Sequence, residues 1–172
     1  MMKKRILSLC ALAALCLSLL TACGPKDAQG GQEDKKVDLA AFAQTVQENH
    51  TFHSLDRQDP EDEEMGAIML GNYYPGLTDL DLEQVEIYMP IISFSGGELA
   101  LVQAKNAEDA AKVKAIFQAR LDSKTTEGPN NYPEEVEMWQ KHAKVVDNGN
   151  YVLLVNHEDA DAIVSEFEAL FQ

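Results

Sequence analysis

Few side chains in this 172-residue sequence stand where reactive chemistry would need them. The clearest is Cys23, which directly follows Leu20-Thr21-Ala22. An aliphatic residue and two small residues before a thiol make Cys23 a candidate for lipidation and the Ala22–Cys23 bond a candidate for signal cleavage. Two acyl chains on one residue would meet the two-signal requirement for stable membrane anchoring. Elsewhere, His50-x-x-His53 sets two imidazoles three residues apart, but a catalytic zinc needs three protein ligands. No HExxH or Cys partner accompanies the pair, and His142 and His157 are remote in sequence. No metal and no cofactor is expected. The acidic run Asp59-Pro60-Glu61-Asp62-Glu63-Glu64 lacks the Gly at position six and the Glu at position twelve of a calcium loop. Ser93, Ser95 and Ser123 lack a GxSxG elbow, and Gly96-Gly97 lacks phosphate-loop spacing. No catalytic residue is therefore assigned. Tyr73, Tyr74, Tyr132 and Trp139 form a candidate partner surface, since Tyr and Trp favour interfaces. Aromatics beside Pro-containing turns more commonly plug the edge of a small core.

The residues around Cys23 explain its setting. Lys3, Lys4 and Arg5 precede an apolar run from Ile6 to Leu20, 15 residues long. That is short of the roughly 20 needed to cross a bilayer, so residues 1–22 read as a signal peptide. All 29 acidic residues follow it, whereas three of the 14 basic ones lie within it, leaving a mature chain at a formal −18. Such a charge repels phosphate backbones, and nucleic acid is not an expected partner. Cys10 and Cys16 leave with the signal, so neither a disulfide framework nor a CxxC metal site is expected. Residues 24–36 (GPKDAQGGQEDKK) hold nothing that could bury itself. They form a tether with an average reach of about 20 Å.

The remaining residues, 37–172, suffice for one core. Asp38 suits a helix N-cap before Leu39, Phe42, Ala43 and Val46. A second helix is expected from Asp59, with Pro60 at its first position and Met65, Ile68 and Met69 as its apolar stripe. Residues 85–94 (VEIYMPIISF) alternate with a phase slip beside Pro90, which predicts a bulged or edge strand. Residues 99–105 (LALVQAK) return as its hairpin partner. Shifting the chain by 50 lays 102–121 on 152–171, matching Val102 to Val152, Asn106 to Asn156, Asp109 to Asp159 and Phe117 to Phe167. Two ββα repeats, about 85–122 and 143–172, follow from this. The expected fold is α+β: an antiparallel sheet with the repeat helices packed on one face, plus N-terminal helices. Pro133 to about Lys141 adds a short helix between the repeats.

Leu20-Thr21-Ala22-Cys23 resembles the lipobox of bacterial lipoproteins. Beyond it, Arg120-Leu121, Tyr132-Pro133-Glu134-Glu135-Val136, Gly149-Asn150-Tyr151-Val152-Leu153-Leu154 and the helix from Asp159 resemble a family of small, mainly Gram-positive lipoproteins known only as a domain of unknown function. The likeness covers about 85–172 and is looser over 37–84, where Tyr73-Tyr74 matches. It implies the outer face of the cytoplasmic membrane and supplies no catalytic residues. The expectation is a membrane-anchored, extracytoplasmic, non-enzymatic binding module of the cell envelope, acting on an envelope protein or small ligand. An envelope enzyme using carboxylate acid–base chemistry is the alternative.

Overall fold

Asp38 caps the first helix as its position suggests: its side chain accepts from the Ala41 N–H at 3.0 Å, and α1 runs Leu39–Asn49 with Leu39, Phe42, Ala43 and Val46 buried. The computed structural model describes residues 36–90, 97–126 and 132–172. Ala22, Cys23, the tether up to residue 35, and the phase slip and turn at 91–96 lie outside them. Lys35–Gln172 form one compact unit. After α1 come β1 (Leu55–Arg57), α2 (Gly66–Tyr73), a 3₁₀ turn (Leu77–Asp79), β2 (Leu82–Pro90) and β3 (Glu98–Ala104). Then follow α3 (Ala107–Thr125), α4 (Pro133–His142), β4 (Ala143–Asn148), β5 (Tyr151–Asn156) and α5 (Ala160–Ala169).

The five strands form one antiparallel sheet in the order β1-β2-β3-β5-β4. Val102 and Val152, equivalent under the 50-residue shift, sit directly opposite each other. The central strands β3 and β5 are buried almost throughout, because helices cover both faces. Ala100, Val102, Val152 and Leu154 face Leu70, Val113, Phe117 and Trp139 from α2, α3 and α4. Alternate residues Leu99, Leu101, Leu153 and Val155 face Leu39, Val46, Ile163 and Phe167 from α1 and α5.

The α+β class and antiparallel sheet match the sequence reading, but the repeat helices do not share a face. In the first repeat Asn106 caps α3, its side chain accepting from the Asp109 N–H at 2.9 Å. The matching Asn156 instead ends β5, and α5 begins only at Ala160. His157, Glu158 and Asp159, equivalent to the first turn of α3, stay outside α5, which packs on the opposite face. Two N-terminal expectations also change. Asp59 and Asp62 turn back on their own backbone, accepting from the N–H groups of Glu61 (2.9 Å) and Glu64 (3.0 Å). Such turns compete with helix, so α2 starts at Gly66, which packs so closely that a Cβ there would lie 1.9 Å from the Asp59 carbonyl oxygen. Strand β2 is not an edge either, since β1 pairs with its outer side and the register shift falls at Leu82–Gln84.

Candidate functional site

Three of the four aromatic candidates converge on one arginine. Arg120, on the buried face of α3, lies with its guanidinium carbon 4.8 Å from the Tyr73 ring centre, 5.9 Å from Tyr74 and 5.5 Å from Trp139. Its Nε donates to Glu98 Oε1 at 3.0 Å and its Nη2 to Oε2 at 2.7 Å, while the Tyr74 hydroxyl donates to the same Oε1. Glu98 is 1% exposed and Arg120 8%. Burial opposes the Arg120 charge, but the adjoining Glu98 carboxylate outweighs it and holds the guanidinium protonated beyond its usual range. Burial, then the Glu98 charge, pushes the Tyr74 phenol well above its ordinary pKa. Beside this group Lys124 donates to Glu135 Oε1 at 2.6 Å. Both Glu98 oxygens, and Nε and Nη2 of Arg120, have partners, which offsets part of the cost of burying the pair. This cluster is therefore built to hold α2, α3 and β3 together.

The expected aromatic surface is corrected accordingly. Tyr74 and Trp139 are buried at 0% and 2% exposure, because they enclose a charge that must be kept from water. Tyr73 and Tyr132 remain exposed, at 39% and 50%. Tyr73 also lines a groove of about 380 Å³ with Asn72, Pro75, Ile116 and Ala119, between α2 and α3. Met65, at the N-cap of α2, and Ile68 are also exposed, at 61% and 55%. Of the stripe read as a core face, Met69 is half-buried, and Leu70 packs inward instead.

The histidines lie far apart in sequence but close in space. His50, capping α1, is bound by carboxylates on both ring nitrogens: Nδ1 to Asp159 Oδ2 at 3.1 Å and Nε2 to Glu166 Oε1 at 3.2 Å. Burial lowers the His50 pKa, but these two hydrogen bonds more than offset it and leave it raised above 6.5. His157 accepts the Asp159 N–H on Nδ1 at 3.0 Å, so its Nε2 carries the proton and faces the Thr51 carbonyl oxygen at 3.1 Å. The two rings are 5.9 Å apart, edge to face. His157 also lines, with His53 and His142, a hollow of about 240 Å³. Of the described residues, His50, His157 and Asp159 form the set whose ligand atoms could meet at one metal ion. His142 and His157, remote from the His50-x-x-His53 pair in sequence, thus lie near it in space. The β5–α5 connection places His157 beside α1, a placement that sequence spacing does not reveal.

A family model matches residues 55–157, from β1 to just past β5. The chain belongs to the family described as domain of unknown function DUF4358. Comparison with curated proteins and with solved structures returned no match. The DUF4358 segment spans the whole sheet with α2, α3 and α4, and so contains the Glu98–Arg120 cluster and the outward face of α2. It also contains an open groove of about 650 Å³ lined by Asp59, Glu61, Asp81, Glu83 and Glu86. Within that groove Arg57 forks onto Glu86, its Nε at 2.9 Å and Nη2 at 3.0 Å, and the Tyr88 hydroxyl donates to Glu86 Oε2 at 2.9 Å. Burial and then that hydrogen bond push the Tyr88 phenol up to about 12. The Glu61 N–H and then Arg57 hold the Asp59 carboxyl below its usual range. Both Glu86 oxygens are thus occupied by Arg57 and Tyr88.

Proposed function

We propose that this DUF4358 protein is a lipoprotein of the cell envelope whose domain is a non-enzymatic binding module. On this reading the chain is cut before Cys23, the Cys23 thiol carries a diacylglyceryl group, and residues 24–36 tether the domain at the extracytoplasmic face of the membrane. The Leu20-Thr21-Ala22-Cys23 sequence supports the anchor. Among the described residues no helix is long and apolar enough to cross a membrane.

The observation that carries the binding role is the outward face of α2. Of the four large apolar side chains exposed among the described residues, three belong to α2 and its N-cap (Met65, Ile68 and Tyr73), and Tyr73 lines a groove with Ile116. Exposed apolar side chains next to a groove mark interaction sites more often than isolated ones do. The partner that fits is an envelope protein presenting a short apolar segment. A photoreactive amino acid at Ile68, activated on intact cells, is expected to capture one envelope protein that the same probe at Glu168 on α5 does not. Equal yields of the same proteins from both positions would sink the binding role. Cys23→Ala should abolish incorporation of a labelled fatty acid into the chain and leave residues 1–22 attached, and undiminished labelling would sink the anchor.

A further inference from the structure

The cluster formed by His50, His157 and Asp159 lies on α1, the β5–α5 connection and the start of α5, away from the outward face of α2. We propose that it is a binding site for a divalent transition-metal ion of the zinc type, with His50 Nδ1, His157 Nδ1 and Asp159 Oδ2 as ligands. Both imidazole Nδ1 atoms approach the same carboxylate oxygen, at 3.1 Å from His50 and 3.9 Å from His157. Two ligands of a tetrahedral zinc, each bound at 2.0–2.1 Å, stand about 3.3 Å apart. The observed separations bracket that value.

The outer nitrogens make the stronger argument. Metal-bound histidines nearly always donate their other N–H to a carboxylate or backbone carbonyl, which fixes the tautomer and ring orientation. Here His50 Nε2 is held by Glu166 and His157 Nε2 by the Thr51 carbonyl oxygen. His50 Nδ1 is thereby aimed at Asp159 Oδ2, and His157 Nδ1 at the Asp159 N–H beside it. Phe52 backs His157 at 4.4 Å between ring centres, giving the apolar shelter such sites have. The His50 and His157 side chains are 9% and 7% exposed, whereas Asp159 is 54% exposed, so an ion would enter past Asp159 and keep an open position toward water. Two imidazoles and a carboxylate suit Zn²⁺, Co²⁺, Ni²⁺ or Cu²⁺, and not the all-oxygen preference of Ca²⁺ or Mg²⁺.

Coordination at His50 Nδ1 sends to solvent any proton that this nitrogen shares with Asp159 Oδ2. At His157 the ion takes the lone pair that now accepts the Asp159 N–H, and that N–H turns to water.

The test uses the full-length chain in detergent with Cys10, Cys16 and Cys23 changed to serine, which removes thiol ligands. Titration with Zn²⁺ should show one ion per chain with a micromolar Kd. Co²⁺ should give visible bands that His157→Gln abolishes. Asp159→Asn alters an exposed side chain and keeps the fold testable, and it should weaken binding at least tenfold. Glu166→Gln, which touches only the outer nitrogen, should weaken it by about tenfold. The double variant His53→Gln/His142→Gln should leave the Kd unchanged. Millimolar or weaker binding would overturn the proposal, as would affinity that follows His53 and His142 instead of His50, His157 and Asp159.

Discussion

Replacing Glu98 by glutamine keeps the shape of the side chain and one accepting oxygen but removes the charge opposite Arg120. The guanidinium is 8% exposed and receives little compensation from water. Breaking a buried pair by removing one charge costs about 3–5 kcal/mol. The glutamine oxygen retains one hydrogen bond, worth about 1 kcal/mol, which brings the expected loss to about 2–4 kcal/mol. For a domain of this size that is a fall in melting temperature of roughly 8–15 °C, measured by circular dichroism at low and high salt. High salt should recover little, because a buried pair is only weakly screened. The triple variant Tyr74→Phe/Glu98→Leu/Arg120→Met removes the charges and the hydroxyl that depends on them, and should be far milder than Glu98→Gln. A loss below about 1 kcal/mol for Glu98→Gln, typical of exposed pairs, would refute the view that this cluster is a sealed charge pair. So would a triple variant less stable than the single one.

Other expectations follow from single contacts. The His50 pKa is raised in the folded chain above its unfolded value of 6.5. Its contribution is therefore fully present below pH 6.5 and lost as pH rises through the folded pKa. Unfolding titrations should show that loss, and His50→Gln should flatten it. Gly66→Ala forces a methyl group to within 1.9 Å of the Asp59 carbonyl oxygen and should cost about 1–3 kcal/mol in denaturant melts. Asp38→Ala removes the cap on Ala41 and should cost about 1 kcal/mol by the same measurement. Ile68→Glu on the outward face of α2 should change stability by less than about 0.5 kcal/mol and abolish capture of the proposed partner.

Much of the fold is legible in local chemistry. Asp38 before an apolar stripe, Asn106 before an Ala-rich run, Pro133 opening α4 and the turn at Gly149 each act through neighbours within four residues, and each stands where its type suggests. The continuous apolar runs of β3 and β5 mark the sheet centre for the same reason. Reading fails where a nearby group competes or a distant one decides. The Asp59 and Asp62 turns delay α2, and Met65 and Ile68, which a helical wheel drawn from Pro60 assigns to the core, are exposed. Strand β1 is three residues long and exists because β2 offers it a partner, so no periodicity announces it.

The candidate sites divide along the same line. Sequence alone identifies Cys23 as the expected anchor, since that signal is contiguous. It also sets the charge balance and the antiparallel α+β class, which follow from counts and short-range patterns. The face taken by α5 is not marked in the three residues between Asn156 and Ala160, and only the packed structure shows it. That placement brings His157 and Asp159 to His50 across more than a hundred residues, while His53, three residues from His50, lines a different hollow. Tyr73 and Tyr74 are adjacent in the chain, yet one reaches the surface and the other seals Glu98. Burial and convergence depend on the whole packed core, so the tertiary structure alone decides them.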